Sequence, residues 1–156
     1  MENWRNITDK RPTFVTHLEC GLSGEEVPAD QLHGLSSVGR PLLVRYDLEA
    51  LKRSLNKETL SARPGDMWRY REFLPVRRNE NILSLGESMT PLIPVLGAKG
   101  DLWIKDEGRL PTGSFKARGL CLAISMAKEL GVRRIAMPTN GNAGAAMAAY
   151  CRMADI

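Results

Sequence analysis

Lys116 is a basic residue set among apolar ones. The stretch from Phe115 to Leu130, FKARGLCLAISMAKEL, predicts a helix closed by Gly131, a glycine where a left-handed residue often ends a helix. At about 100° per residue, Leu120, Ala123, Ile124, Ala127 and Leu130 project within about 80° of Lys116. Arg118, Ser125, Lys128 and Glu129 project within about 60° of the opposite direction and mark the expected solvent side. An amine inside an apolar stripe is paired, neutral, or turned into a functional pocket. A desolvated lysine amine attacks carbonyls, which is Schiff-base chemistry. On the wheel alone the simpler reading is a first-turn lysine whose stem runs past the helix end into water.

Two turns frame that helix. Pro111-Thr112-Gly113-Ser114 supplies a turn and a Ser or Thr cap before it, and the helix start adds partial positive charge beside Lys116. Thr139-Asn140-Gly141-Asn142-Ala143-Gly144 lies between an expected strand, 134–138, and a second helix expected from Asn142 to the last residue. A strand end that turns into a helix start presents free backbone N–H groups and suits an anionic ligand group; its two glycines let another molecule approach the backbone. An ordinary turn capped by Asn142 fits the same residues. The second helix has only Arg152 and Asp155 as charges, so burial on most sides is expected.

The elements that carry these turns read as an alternation of strand and helix. Leu92–Leu96 and Leu102–Lys105 flank Gly97-Ala98-Lys99-Gly100 as two short strands around a turn, with Pro94 at an edge. With the later strand and helices, they predict an α/β fold, a partial parallel sheet with crossover helices. Residues 1–85 read as an irregular lead interrupted by breakers from Pro12 to Pro75, and residues 86–156 as the beginning of a catalytic region. Within the lead, Leu42–Tyr46 is a plausible strand, Leu48–Leu55 a short helix, and Met67–Arg71 an amphipathic turn or helix start.

Composition excludes few functions. The 156 residues are 43% hydrophobic and 26% charged, ordinary for a folded domain and unlike a disordered chain. A net charge of +4 with 6% aromatic residues makes no nucleic-acid stripe. No apolar run reaches the roughly 20 residues of a membrane span, and Met1-Glu2-Asn3-Trp4-Arg5 lacks a secretion-signal layout, so a cytoplasmic protein is expected. Cys20, Cys121 and Cys151 are odd in number, and the last two fall in helical patterns as small hydrophobes, against a disulfide framework.

Four motifs in order carry a resemblance. Gly86-Glu87-Ser88-Met89-Thr90-Pro91-Leu92, Lys105-Asp106-Glu107, Pro111-Thr112-Gly113-Ser114-Phe115-Lys116-Ala117-Arg118-Gly119 and Thr139-Asn140-Gly141-Asn142-Ala143-Gly144 resemble the pyridoxal-phosphate enzymes of the tryptophan-synthase-β type, fold type II. Within it they look most like the threonine synthases, as do Leu18-Glu19-Cys20 and the run from Pro41 to Glu49. The resemblance implies pyridoxal 5'-phosphate as cofactor, held covalently by Lys116, which would also move protons on the substrate carbons. Asn142 would bond the cofactor's ring oxygen. Thr139, Asn140, Gly141 and Ala143 would hold the substrate carboxylate, and Ser88 and Thr90 would approach the substrate phosphate. The implied reaction is a lyase step of threonine biosynthesis, O-phospho-L-homoserine and water to L-threonine and phosphate. Expected partners are a small amino-acid substrate and, for the whole enzyme, a second subunit in a homodimer, with no nucleic acid and no membrane.

Departures from the family qualify this. Many members open with a zinc-ribbon-like lead bearing two Cys-x-x-Cys pairs. Here Cys20 is followed by Ser23, and the second pair would fall near Leu35 and Val38, before Gly39. His17, Cys20 and His33 are irregularly spaced, so no metal is expected. Leu110 stands where related enzymes commonly have Asn. The last helix reaches Asp155-Ile156 with no cap signal, and the glycine-rich loop that would cradle the cofactor phosphate has no equivalent in this sequence. The chain alone is therefore expected to be an incomplete, inactive fragment with apolar helix surface exposed. A non-catalytic shortened product or interaction fragment, and a related serine or threonine dehydratase, are the alternatives.

Overall fold

The computed structural model describes residues 13–97 and 99–156. The readings made for Met1–Arg5, Pro12 and Ala98 lie outside them. Three strands open the described chain, β1 (Val15–Cys20), β2 (Glu26–Pro28) and β3 (Leu42–Tyr46), in the order β2-β1-β3, all antiparallel. Cross-strand charge helps hold them: Arg45 grips Glu19 with two bonds of 2.8 and 2.9 Å. Two short helices follow, each started by a side-chain cap. Asp47 accepts from the N–H of Ala50 before α1 (Leu48–Ser54), and Asn56 accepts from Thr59 before α2 (Lys57–Ala62). A tight 3-10 segment, Met67–Phe73, leads to a second sheet, the antiparallel pair β4 (Leu92–Pro94) and β5 (Trp103–Lys105). Two longer helices end the chain, α3 (Lys116–Glu129) and α4 (Asn142–Ala154).

Among the described residues the fold is mixed α/β with two small antiparallel sheets, and the expected parallel sheet is not formed there. Residues 134–138 make no ladder, contrary to the expected strand. A strand exists only where a neighbour takes its N–H and C=O groups, and β4 and β5 satisfy each other.

The core draws on both sides of the boundary expected at residue 85. Trp68, Val76 and Leu83 from the first part pack with Leu110, with Ala117, Cys121 and Ile124 of α3, and with Ala146 and Tyr150 of α4. The Trp68 indole N–H donates to the Leu83 carbonyl at 2.9 Å. This shifts the buried stripe of α3 away from the wheel's expectation. Ala117, Cys121, Ile124 and Ser125 are sealed, while Ala123 is exposed. The stripe centres about 100° from Lys116, which sits half-buried at its edge. Two residues assigned to solvent are covered because residues 77–83 cross that face. Ser125 accepts from the N–H of Leu83 at 3.0 Å, and the Glu129 carboxylate accepts from the N–H groups of Arg77 and Arg78 and from Asn81.

α4 is less covered than its composition suggested. Ala146 and Tyr150 are its buried residues, and Met153 is 42% exposed, because α3 covers one face of it. Its end is capped after all: Asp155 turns left-handed (φ 55°), and the N–H of Ile156 returns to the Cys151 carbonyl at 3.0 Å. The β4–β5 ribbon is apolar and open on both faces, with Leu92, Ile93, Leu102, Trp103 and Ile104 all exposed.

Candidate functional site

The mouths of α3 and α4 share one cavity of about 540 Å³, with Lys116 on one wall and residues 138–143 on the other. Lys116, Thr139, Asn140, Gly141, Asn142 and Ala143, all read from the sequence as site residues, thus meet around one space.

On the α3 side, Leu110 is packed into the core, 4% exposed, and fixes the start of the approach. Thr112 and Gly113 both take positive φ, 66° and 70°, which for a β-branched residue is a strained conformation. Ser114 then runs extended, and its backbone carbonyl accepts from Ala117 at 3.2 Å. The expected Ser or Thr side-chain cap is absent: no side chain caps α3, and the buried Ser114 Oγ has no hydrogen-bond partner among the described residues. The Lys116 ammonium lies over the Phe115 ring, 4.6 Å from its centroid, an attraction that parks the amine at the helix start.

On the α4 side the cap is also not the expected one. Gly141 sits at φ 129°, a conformation closed to L side chains. Thr139 Oγ1 accepts from the N–H groups of Gly141, at 3.1 Å, and Gly144, at 2.9 Å. Asn142 is the first residue of the helix, exposed, and caps nothing. A Cβ placed on Gly144 would stand 2.6 Å from Thr139 Cγ2, so the two residues are fitted to each other. Thr139 and Gly144 appeared in the motif, but their reciprocal fit has no sequence period to reveal it.

Ser88 and Thr90 do not line this cavity. Ser88 is exposed, and its carbonyl accepts from Arg118 at 3.0 Å. Thr90 is buried, with its hydroxyl donated to Glu107 and its carbonyl held by Lys105. Arg118, expected on the solvent side, is the hub here, with two bonds of 2.7 and 3.0 Å to Glu107. Those bonds, with the one from Thr90, hold the Glu107 carboxyl down to about 2. A carboxylate lowered by folding stabilises the fold above its ordinary value near 4.5, and that contribution is lost as pH falls toward about 2. Melting temperature followed across this acid range should fall more steeply in the unaltered chain than in Glu107→Gln; parallel profiles would contradict the assignment.

Below the cavity, Glu87 is fully buried and accepts from Ser84 Oγ at 2.8 Å, from the N–H of Leu85 at 3.0 Å, and from the Tyr150 hydroxyl. Burial and the neighbouring carboxylate push the Tyr150 hydroxyl well above its usual value. This joint ties α4 to the turn that precedes Ser88, a link between residues far apart in sequence.

The region around Cys20 also takes a definite shape. Leu35 and Val38, where the second pair was expected to fall, point outward, 66% and 50% exposed. The turn closed by the bond from Gly39 N–H to the Ser36 carbonyl faces Cys20, and bonds from Ser23 and Ser36 hold the Cys20 thiol down to about 7. His33 donates to the Pro28 carbonyl and His17 lies beside Glu26 at 3.6 Å. Among the described residues no group of three or more His, Cys, Asp or Glu could hold a metal ion. The three cysteines are free thiols. No helix among the described residues is long and apolar enough to cross a membrane.

Comparison with known proteins bears on this arrangement. Residues 83–156 match the family model described as pyridoxal-phosphate dependent enzyme. The chain is 38% identical over 137 residues to a threonine synthase of Methanocaldococcus jannaschii, covering 84% of this chain and 34% of that protein. It is 35% identical over 147 residues to one of Methanosarcina acetivorans, covering 90% and 35%. Identity reaches 46% over 90 residues with one of Halalkalibacterium halodurans, covering 55% and 25%. The chain spans about a third of the length of the first two relatives.

Proposed function

We infer that this chain, whose residues 83–156 match the family model of pyridoxal-phosphate dependent enzymes, is the N-terminal part of a threonine synthase-like lyase. Its reaction is O-phospho-L-homoserine and water to L-threonine and phosphate. The observation that carries this reading is the cavity that puts an amine, Lys116, opposite a helix mouth, residues 139–143. Those residues fit the cofactor: the amine suits its aldehyde, and the buried Ser114 Oγ leaves a polar atom unused beside the same helix start.

Pyridoxal phosphate, when bound, supplies the electron sink for the reaction. Lys116 Nζ holds it and passes protons to and from the substrate carbons. The Asn142 carboxamide, not spent on capping α4, is free to bond a ring oxygen. The backbone amides of Asn142 and Ala143 lie in the first turn of α4, where N–H groups and the helix dipole favour a carboxylate. Ser88, exposed on the loop that Arg118 grips, is the better placed of the two residues proposed to meet the substrate phosphate. Residues 1–85 act as a lead whose Trp68 and Val76 support the catalytic helices from below.

A full-length protein carrying this sequence, loaded with the cofactor, should release threonine and phosphate in equal amounts from O-phospho-L-homoserine. A 2-oxo acid formed from serine or threonine, with no phosphate release, would replace this reading with a dehydratase. The isolated 156-residue chain should retain little borohydride-fixed pyridoxal label on Lys116.

A further inference from the structure

Two lone pairs on one hydroxyl oxygen shape the α4 mouth. Thr139 Oγ1 accepts from Gly141 and Gly144, at 3.1 and 2.9 Å, so its capacity as an acceptor is filled by the backbone of its own turn. Its methyl faces the place where Gly144 lacks a Cβ, 2.6 Å away. Gly141, at φ 129°, lets the chain reverse between them. The amide of Gly144 is consumed by this lock, while Asn142 and Ala143 remain on the cavity wall opposite Lys116.

We propose that Thr139 is a positioning residue: its hydroxyl oxygen locks the 139–144 turn so that the Asn142 and Ala143 amides face Lys116 and receive a carboxylate. The proposal rests on the reading of this cavity as an amino-acid site and deepens it. Thr139 does its work through the turn, and what its hydroxyl has left for a ligand is one hydrogen to donate. The residue's side chain therefore divides in two, an oxygen that sets the turn and a methyl that demands glycine at 144.

Threonine, serine and valine at 139 separate these parts, since serine keeps the oxygen and valine keeps the shape. In the 156-residue chain, amide hydrogen exchange at Gly144 should slow equally in the unaltered protein and T139S, and quicken roughly fivefold in T139V, the scale of a lost helix cap. Exchange in α3 serves as the control for an intact fold. Acetate, used as the carboxylate probe, should shift the Asn142 and Ala143 amide resonances in the unaltered chain and T139S, and need roughly tenfold more in T139V. Unchanged Gly144 exchange in T139V would overturn the lock. Should T139V not fold, T139S still decides, because loss of protection there means the oxygen is not what holds the turn. An unaltered chain that ignores acetate while Gly144 protection follows the oxygen sinks the amino-acid site and leaves the lock supported.

Discussion

Alanine at position 116 should leave the complete cofactor-loaded enzyme folded but without measurable threonine formation. Lys116 is the amine on the cavity wall, and no other side chain lining that space carries a primary amine to condense with an aldehyde. Removing a group that bonds covalently and also moves protons lowers turnover by at least on the order of 10³-fold. The fold should tolerate the change, because Lys116 lies at the edge of the buried stripe and alanine is the best helix former. Phosphate release and melting temperature measured together would show lost turnover with a midpoint moved by a few degrees at most. Activity retained in Lys116→Ala would refute the role. Arginine at 116 keeps the charge over Phe115 and should be equally inactive, since a guanidinium does not give up its proton.

The second large effect is on stability and falls in the lead. Trp68→Ala should cost about 3–5 kcal/mol, the usual range for emptying a buried aromatic site. Trp68 has no exposure and donates its indole N–H to Leu83, so the cavity would open beneath α3 and the Leu83 carbonyl would keep only the Cys121 thiol as a donor. Against a total of about 5–15 kcal/mol for a domain, most of the margin disappears. Urea unfolding should show the midpoint falling sharply in Trp68→Ala and less in Trp68→Phe, which keeps a ring but not the donor. A midpoint within experimental error of the unaltered chain would mean that residues 1–85 do not support the helices.

Local signals carried the site further than they carried the sheet. α3 and α4 follow from helical spacing and from Gly131, which does sit left-handed at φ 72°, and the β4–β5 ribbon from a glycine turn between two apolar runs. Lys116 and the 139–143 turn were legible because each stands at a helix start, which sequence marks. Strands β1 and β2 were not, since Thr16, His17, Glu19 and Glu26 look polar until their partners are known. The covered face of α3 was misread for the same reason: Ser125 and Glu129 are hidden by residues more than 40 positions earlier. Glu107 with Arg118 and Glu87 with Tyr150 are long-range bonds, and no spacing rule reaches them.

The bond between Glu87 and Tyr150 also sets an order in time. During synthesis the three-stranded sheet of β1–β3 is complete once Tyr46 has emerged, and it can close while the ribosome is still reading the middle of the message. The half of the core around Trp68 has no such freedom. Its partner Tyr150 on α4 lies 63 residues after Glu87, and the Glu87 carboxylate must wait for it to leave the exit tunnel before the buried bond can form. The Lys116 cavity therefore takes shape only once the 138–143 turn and α4 have emerged, well after the β1–β3 sheet.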